Sequence, residues 1–209
     1  MIDLLSIIIA IVFCVTIHEF CHAWMANRLG DPTARVFGRL SLNPLRHFDL
    51  VGTLSLIFFG IGWGKPVPYN EENLRSPKRD GALIALAGPI SNLLTAIVFA
   101  IPLKYLSDTG FRTFPLYNLI YFLFNFSVVL FALNVLPFPP FDGSKIIGLF
   151  VPRRFHRAYE IYLKEGVKYI IIFILFDVFV LERSFNFSVL GSVLGKMVFW
   201  IKAIIYAGT

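Results

Sequence analysis

His18, Glu19 and His22 occur together in the pentapeptide HEFCH. On a helix, residues four positions apart lie on one face, so the two imidazoles can bind one metal ion. Glu19 lies about 100° around the helix from His18, beside that ion, where it could take a proton from a zinc-bound water. Zinc lowers the pKa of such a water toward about 7. The spacing therefore predicts two zinc ligands and a general base, whereas Cys21 faces another side of the helix and is not expected to bind the ion.

The HEFCH segment lies at the end of a strongly apolar run, LLSIIIAIVFCV. Hydrophobic residues make up 57% of the 209-residue chain and charged residues only 15%, which is too apolar for an ordinary soluble domain. In a bilayer, a charged or strongly polar side chain at the centre of a helix costs roughly 2.5–3.5 kcal/mol. Three such side chains within five positions need a compensating partner, and a metal ion would provide one.

The composition predicts an all-α polytopic membrane protein with about five membrane segments. Apolar runs that approach the length needed to cross a bilayer cover residues 4–27, 82–106 and 116–136. Two further runs, 167–181 and 187–206, are shorter or interrupted by charge. The first run lacks a basic n-region and a small-residue cleavage site, so we expect it to remain as a span and not to be removed as a signal peptide.

Lysine and arginine are concentrated in segments 28–79 and 145–168 and are sparse in segment 104–115. By the positive-inside rule, the two basic segments face the cytoplasm and the N-terminus points outward. Membrane orientation and attraction to anionic lipid account for the net charge of +6, so we expect no nucleic-acid partner. Cys14 and Cys21 both lie in the first apolar run, where we expect buried thiols and no disulfide.

The segment between the first two long spans is too long for a bare connector. Its apolar middle part contains Gly52, Gly60, Gly62 and Gly64 and is too short to span as a helix. This pattern favours a small membrane-associated β element or a re-entrant loop, which is tolerated at membrane depth where it lines a protein cavity. No repeat or linker divides the chain, so we expect residues 1–209 to form a single transmembrane domain.

A catalytic zinc usually has three protein ligands, and the third must come from a similar depth. Asp142 follows a proline cluster at the cytoplasmic end of the third span, and Gly143 would allow a tight turn beside it. An ordinary Asp-Gly turn at the membrane exit is the alternative. His47 is a rival ligand for which a structural role is favoured, and His156, among several arginines, is expected to be solvated.

The second long span contains polar residues within ALAGPISNLLTA. Asn92 could donate its amide hydrogens to a bound carbonyl or its oxyanion, an interaction worth roughly 2.7–4 kcal/mol in hydrolases. Gly88, Ser91 and Thr95 could equally serve close helix–helix packing, and the segment alone does not decide between these roles. Asp177 could belong to a proton path, although an interior or snorkelling position is favoured.

Three motifs together resemble the site-2 protease family of intramembrane zinc metalloproteases. They are the HExxH of residues 18–22, the GxxxN of residues 88–92 and the NxxPxxxxDG of residues 134–143. The segments NRLGDPTARVFGRLSLNP and GWGKPVP are similar to the compact bacterial branch without a PDZ domain.

The resemblance implies that His18, His22 and Asp142 bind Zn²⁺ and that Glu19 is the general base. It also implies that Asn92 and Asn134 stabilise the substrate or the tetrahedral intermediate. The implied reaction is hydrolysis of a peptide bond in or near a transmembrane segment of a partner protein. We therefore expect a bacterial or archaeal cell-membrane enzyme, in contact with the lipid bilayer, whose active site lies toward the cytoplasm.

Two other classes of function use the same sequence features. A metal-binding membrane transporter or sensor without proteolytic activity would need the ligands but not Glu19 as a base. A non-enzymatic membrane scaffold would need no zinc. Substitution of Glu19 and metal analysis of the protein distinguish these classes.

Overall fold

The computed structural model describes residues 4–49, 52, 64–108 and 115–208, and almost all of its regular structure is helical. Its α-helices are α1 (Leu4–Arg28), α2 (Thr33–Val36), α3 (Pro77–Asp108), α4 (Pro115–Asn134), α5 (Gly143–Ile147), α6 (His156–Phe176), α7 (Arg183–Phe185) and α8 (Val189–Gly208). Short 3₁₀ turns cover Pro44–Arg46, Glu71–Asn73, Gly148–Phe150 and Arg153–Phe155, and a π-helical segment covers Asp177–Glu182.

Four of the described helices are long and apolar enough to cross a membrane. They are α1, residues Pro77–Leu106 of α3, residues Leu116–Asn134 of α4, and α8. This finding confirms the helical membrane class. The count differs from the five segments expected, because the predicted segment 167–181 lies on the end of α6 and the π-helical segment. The first half of α6 is rich in charged residues, so this helix is not apolar over a length that could cross a membrane.

Helices α1, α3 and α4 pack against one another and form the centre of the molecule. Alanines at their contact faces are fully buried, which allows the close backbone approach typical of membrane helices. These alanines are Ala10, Ala23 and Ala26 of α1, Ala96 and Ala100 of α3, and Ala132 of α4. Helix α8 packs on the outside of α4, where Ile205 joins a buried cluster with Phe124 and Val128.

Two predictions about single side chains are tested by the packing. Cys14 and Cys21 are both free thiols, and Cys14 is buried as expected, whereas Cys21 is only partly buried. Asp177 is 1% exposed and accepts hydrogen bonds from Ser188 Oγ at 2.6 Å and from the Val189 amide at 2.8 Å. Its carboxylate therefore caps the N-terminus of α8, which agrees with the interior position favoured for it.

The predicted β element or re-entrant loop falls largely on residues 50–51 and 53–63, which lie outside the described residues. At its flanks, Phe48 and Gly64 form an antiparallel bridge. The Lys65 amide donates to the His47 carbonyl oxygen at 2.9 Å. The described parts of the chain contain this isolated bridge and no strand.

Asp31 ties the end of α1 to the chain that leads into α3. Its carboxylate is fully buried and accepts bonds from the Thr33 amide at 3.1 Å, the Thr33 hydroxyl at 2.5 Å, the Asn70 amide at 2.8 Å and Asn73 Nδ2 at 2.7 Å. Burial raises the pKa of Asp31, but the hydrogen bonds from Thr33, Asn73 and Asn70 outweigh it, so the net shift is downward.

We expect Asp31→Ala to lower the free energy of unfolding by about 3 kcal/mol, because several charge-assisted hydrogen bonds are lost together. Thermal unfolding in detergent micelles measures the change. Glu72→Ala, at an exposed position in the same region, is the control and should unfold like the wild type.

The lowered pKa of Asp31 gives this stabilisation a pH dependence. A carboxyl group with a lower pKa in the folded state stabilises the fold above its unfolded pKa of about 3.9. That contribution is lost as the pH falls through the folded value. The difference in unfolding midpoint between wild type and Asp31→Ala should be constant from about pH 5 to pH 7 and should shrink below about pH 4. A difference that grows on acidification would contradict this assignment.

Candidate metal centre

The structure brings together the three side chains predicted as zinc ligands. His18 Nε2 and His22 Nε2 are 3.0 Å apart, and each lies 3.1 Å from Asp142 Oδ2. Both histidines are 7% exposed. Among the described residues, these three form the one group of histidine, cysteine and acidic side chains that could hold a metal ion. Cys21 is not part of it, in agreement with the helical geometry of the HEFCH segment.

Local structure accounts for the position of each ligand. His18 and His22 are one helical turn apart on α1, on the side that faces α3. Asp142 precedes α5, which packs against α3, and its carboxylate makes no capping hydrogen bond to α5. The side chain is therefore not engaged in an ordinary Asp-Gly turn and faces the imidazoles. A Cβ at Gly143 would lie 2.6 Å from the Leu136 carbonyl carbon, so glycine is required for the backbone approach that places Asp142.

The donor set fits a zinc ion. His22 Nδ1 lies 2.7 Å from the Ile84 carbonyl oxygen, which can only accept, so Nδ1 carries the proton and Nε2 presents a lone pair. Asp142 Oδ2 is buried and has no hydrogen-bond partner among the described residues. Ligands at about 2.0–2.1 Å in tetrahedral zinc lie about 3.3 Å apart, close to the separations found here. A single cation would relieve the repulsion between acceptors packed this closely.

Gly88 of α3 forms the wall behind the two imidazoles. A Cβ at this position would lie 2.5 Å from His22 Cε1 and 2.6 Å from His18 Cε1, closer than side-chain atoms approach one another. The sequence predicted close helix approach here. The structure shows that Gly88 approaches the imidazoles of His18 and His22, the two predicted ligands.

Glu19 lies beside the bridged segment that contains Gly64. A Cβ at Gly64 would be 3.9 Å from Glu19 Oε1. Arg39 holds the same segment, because its Nη2 donates to the carbonyl oxygens of Lys65 at 3.3 Å and Pro66 at 3.4 Å. Burial lowers the pKa of Arg39, and attraction to the Glu19 carboxylate opposes that shift. Sequence reasoning did not single out Arg39 as part of this region, since its position depends on how the loop folds back.

The remaining predicted residues have other surroundings. Asn92 Nδ2 lies 3.0 Å from His18 Nδ1, and Asn134 Nδ2 donates to the Leu130 carbonyl oxygen at 3.0 Å, so their roles toward a substrate stay predictions. His47 is fully buried, and its Nε2 lies 2.7 Å from the Ser41 carbonyl oxygen, which agrees with the structural role favoured for it. His156 is exposed and pairs with Glu160 at 3.2 Å, as expected of a solvated residue.

Similarity to known proteins covers the part of the chain that contains the HEFCH segment. A sequence model described as Peptidase family M50 matches residues 6–113, more than half of the chain. The chain belongs to peptidase family M50. This match confirms the resemblance to the site-2 protease family. Asp142 lies beyond the matched residues, so its assignment in this M50 chain depends on the geometry described above.

Relatives of this M50 chain occur in bacteria and archaea. "Putative zinc metalloprotease YwhC" of Bacillus subtilis is 35% identical over 70% of the chain and 69% of that protein. "Putative zinc metalloprotease Rip2" of Mycolicibacterium smegmatis is 32% identical over 61% of the chain and 50% of that protein. "Putative zinc metalloprotease MJ0611" of Methanocaldococcus jannaschii is 32% identical over 47% of the chain and 49% of that protein.

The chain thus spans about two thirds of the Bacillus protein and about half of the other two. No solved structure gives a significant match to the chain. The family and the four apolar helices together establish an integral membrane protein of a metallopeptidase family.

We expect Gly88→Ala to abolish tight zinc binding, because the added methyl group occupies space held by both imidazoles. Zinc content after dialysis against a chelator of moderate affinity measures the effect, and a loss of at least about 10-fold in affinity is expected. Gly81→Ala is the matched control on the same helix, since its Cβ would make an ordinary 3.7 Å contact with the Tyr69 hydroxyl. Equal zinc content in the two variants would show that Gly88 does not border the metal centre.

Proposed function

We propose that this chain is an intramembrane zinc metalloendopeptidase that hydrolyses peptide bonds in or near the transmembrane segments of substrate proteins. One observation carries the proposal. Two imidazole nitrogens and a carboxylate oxygen converge within 3.1 Å near the end of a helix that can span a membrane, and a further carboxylate follows the first imidazole in the chain. Membership of a family whose relatives are named zinc metalloproteases supports the choice of ion.

His18, His22 and Asp142 would hold the ion through the atoms that face one another. When bound, zinc supplies Lewis-acid chemistry: it acidifies water and polarises a peptide carbonyl. The three ligands leave one side of a tetrahedral site for water and substrate. Gly88 packs directly on both imidazole rings and would restrict their movement around the ion.

Glu19 would act as the general base and then as the general acid. Its carboxylate accepts a proton from the attacking water and delivers it to the nitrogen of the leaving amine as the C–N bond breaks. The positive charge of the buried Arg39 attracts this carboxylate. Asn134, the last residue of α4 before the loop that carries Asp142, is assigned to the substrate carbonyl.

The substrate would approach along the segment that follows Gly64. This segment lies beside Glu19, and Arg39 holds its carbonyl groups. An unwound substrate segment could add alongside it as a strand and expose a peptide bond for attack. Pro66 and Pro68 lack amide hydrogens and would limit this pairing to part of the segment.

The distribution of charge supports a site that lies toward the cytoplasm. His22 is six residues from Arg28, the last residue of α1, and further arginines follow in the connecting loop. By the positive-inside rule this end of α1 faces the cytoplasm, so water reaches the site over a short path. The host membrane would be a bacterial or archaeal cell membrane, since the relatives named above come from such organisms.

The decisive experiment compares wild type with Glu19→Gln in liposomes that contain a panel of single-span membrane proteins. We expect Glu19→Gln to retain one bound zinc per chain and to lose cleavage activity by about 10²- to 10⁴-fold, because general acid–base catalysis contributes that factor. Electrophoresis of the substrates measures cleavage, and elemental analysis measures zinc. Glu72→Gln, at an exposed position, is the matched control and should cleave like the wild type.

A metal transporter or sensor would behave differently in the same experiment. Its metal binding and transport would survive Glu19→Gln, and neither protein would cleave any member of the panel. Cleavage that persists after chelation of zinc, or in Glu19→Gln, would overturn the proposed mechanism.

A further inference from the structure

Asn92 is fully buried in α3, directly behind the first metal ligand. Its side-chain amide nitrogen lies 3.0 Å from His18 Nδ1. Its amide oxygen is buried and has no hydrogen-bond partner among the described residues. A buried polar atom without a partner costs about 1–3 kcal/mol, so this arrangement needs a physical reason.

The chemistry of a metal-bound imidazole supplies that reason. A neutral histidine that binds a metal through Nε2 carries its proton on Nδ1, which is then a donor. In the orientation shown, the amide NH₂ of Asn92 and the Nδ1–H of His18 would be two donors facing each other. The oxygen and nitrogen of an asparagine amide are nearly identical in shape, and their assignment follows from the hydrogen-bond network. Rotation of the amide by 180° places Oδ1 against Nδ1–H.

Rotation of the amide would break no hydrogen bond of its oxygen among the described residues. The position now held by Oδ1 offers it no hydrogen-bond donor, so no contact among the described residues keeps the oxygen there. His22 shows the same arrangement with a different acceptor, because its Nδ1 faces the Ile84 carbonyl oxygen at 2.7 Å. Both ligands would thus donate Nδ1–H to an oxygen atom of α3.

We propose that Asn92 is a positioning residue of the metal centre, whose Oδ1 accepts a hydrogen bond from His18 Nδ1–H and thereby holds Nε2 toward the ion. This inference rests on the zinc site of the proposed function. It assigns Asn92 a different role from the predicted contact with substrate. Nδ1 and Nε2 are separated by Cε1 and point in different directions in the plane of the ring, so Asn92 and Asp142 face different nitrogens of His18.

The test uses the full chain purified in detergent and measures zinc affinity by competition with a chelator of known affinity. We expect Asn92→Ala to weaken zinc binding by about 10- to 100-fold, the usual effect of removing such a partner. Asn92→Asp keeps the acceptor and makes it more basic, so it should bind zinc at least as tightly as the wild type. Ser91→Ala, which removes a buried hydroxyl bonded to the Gly88 carbonyl oxygen, is the neighbouring control and should leave zinc affinity unchanged.

The two variants separate positioning from substrate binding. If Asn92 instead donated a hydrogen bond to the substrate, both Asn92→Ala and Asn92→Asp would remove that donor. Both variants would then cleave more slowly and bind zinc with unchanged affinity, and this result would overturn the proposal. The proposal would also be overturned if Asn92→Asp bound zinc more weakly than the wild type. This second result decides the question even if Asn92→Ala does not fold.

Failure of the protease assignment gives a distinct pattern. In that case wild type binds zinc, His18→Ala does not, and the Asn92 variants change zinc affinity as expected, but no membrane protein is cleaved. The positioning role of Asn92 would then stand without the proposed reaction.

Discussion

The structure depends on the close approach of three hydrogen-bond acceptors inside a bundle of apolar helices. His18, His22 and Asp142 place two nitrogen atoms and one oxygen atom within 3.1 Å of one another. Such a group is unfavourable when buried without a compensating charge. A cation bound by the three atoms would remove the penalty, and its binding would then stabilise this region of the fold.

Small residues make this approach possible. Gly88 leaves room for both imidazole rings, and Gly143 lets the chain before α5 lie against the carbonyl groups of residues 135 and 136. The fully buried alanines of α1, α3 and α4 bring the helix backbones close enough for these contacts. In a lipid environment, where apolar burial between helices provides little driving force, such packing is a main source of helix association.

Polar contacts outside the helices organise the approach to the site. Asp31 joins the end of α1 to the chain before α3, and Arg39 holds the segment next to Glu19. Both side chains are buried and charged, and each is stabilised by hydrogen bonds to other parts of the connecting loop. Glu19, the proposed general base, thus lies on the helix that carries His18 and His22 and next to the loop that is proposed to receive substrate.

The sequence by itself determined the membrane class, the approximate positions of the four long apolar helices, and the placement of His18 and His22 on one face of the first helix with Glu19 beside them. These features depend on composition and on the helical period, which act over a few neighbouring residues. The similar depth of Asp142 and the two histidines in the membrane also indicated Asp142 as the third ligand. Only the tertiary structure decided that Gly88 packs on the two imidazoles and that Asn92 faces His18. Those outcomes depend on how each helix is rotated and on which groups oppose it, which no local pattern specifies.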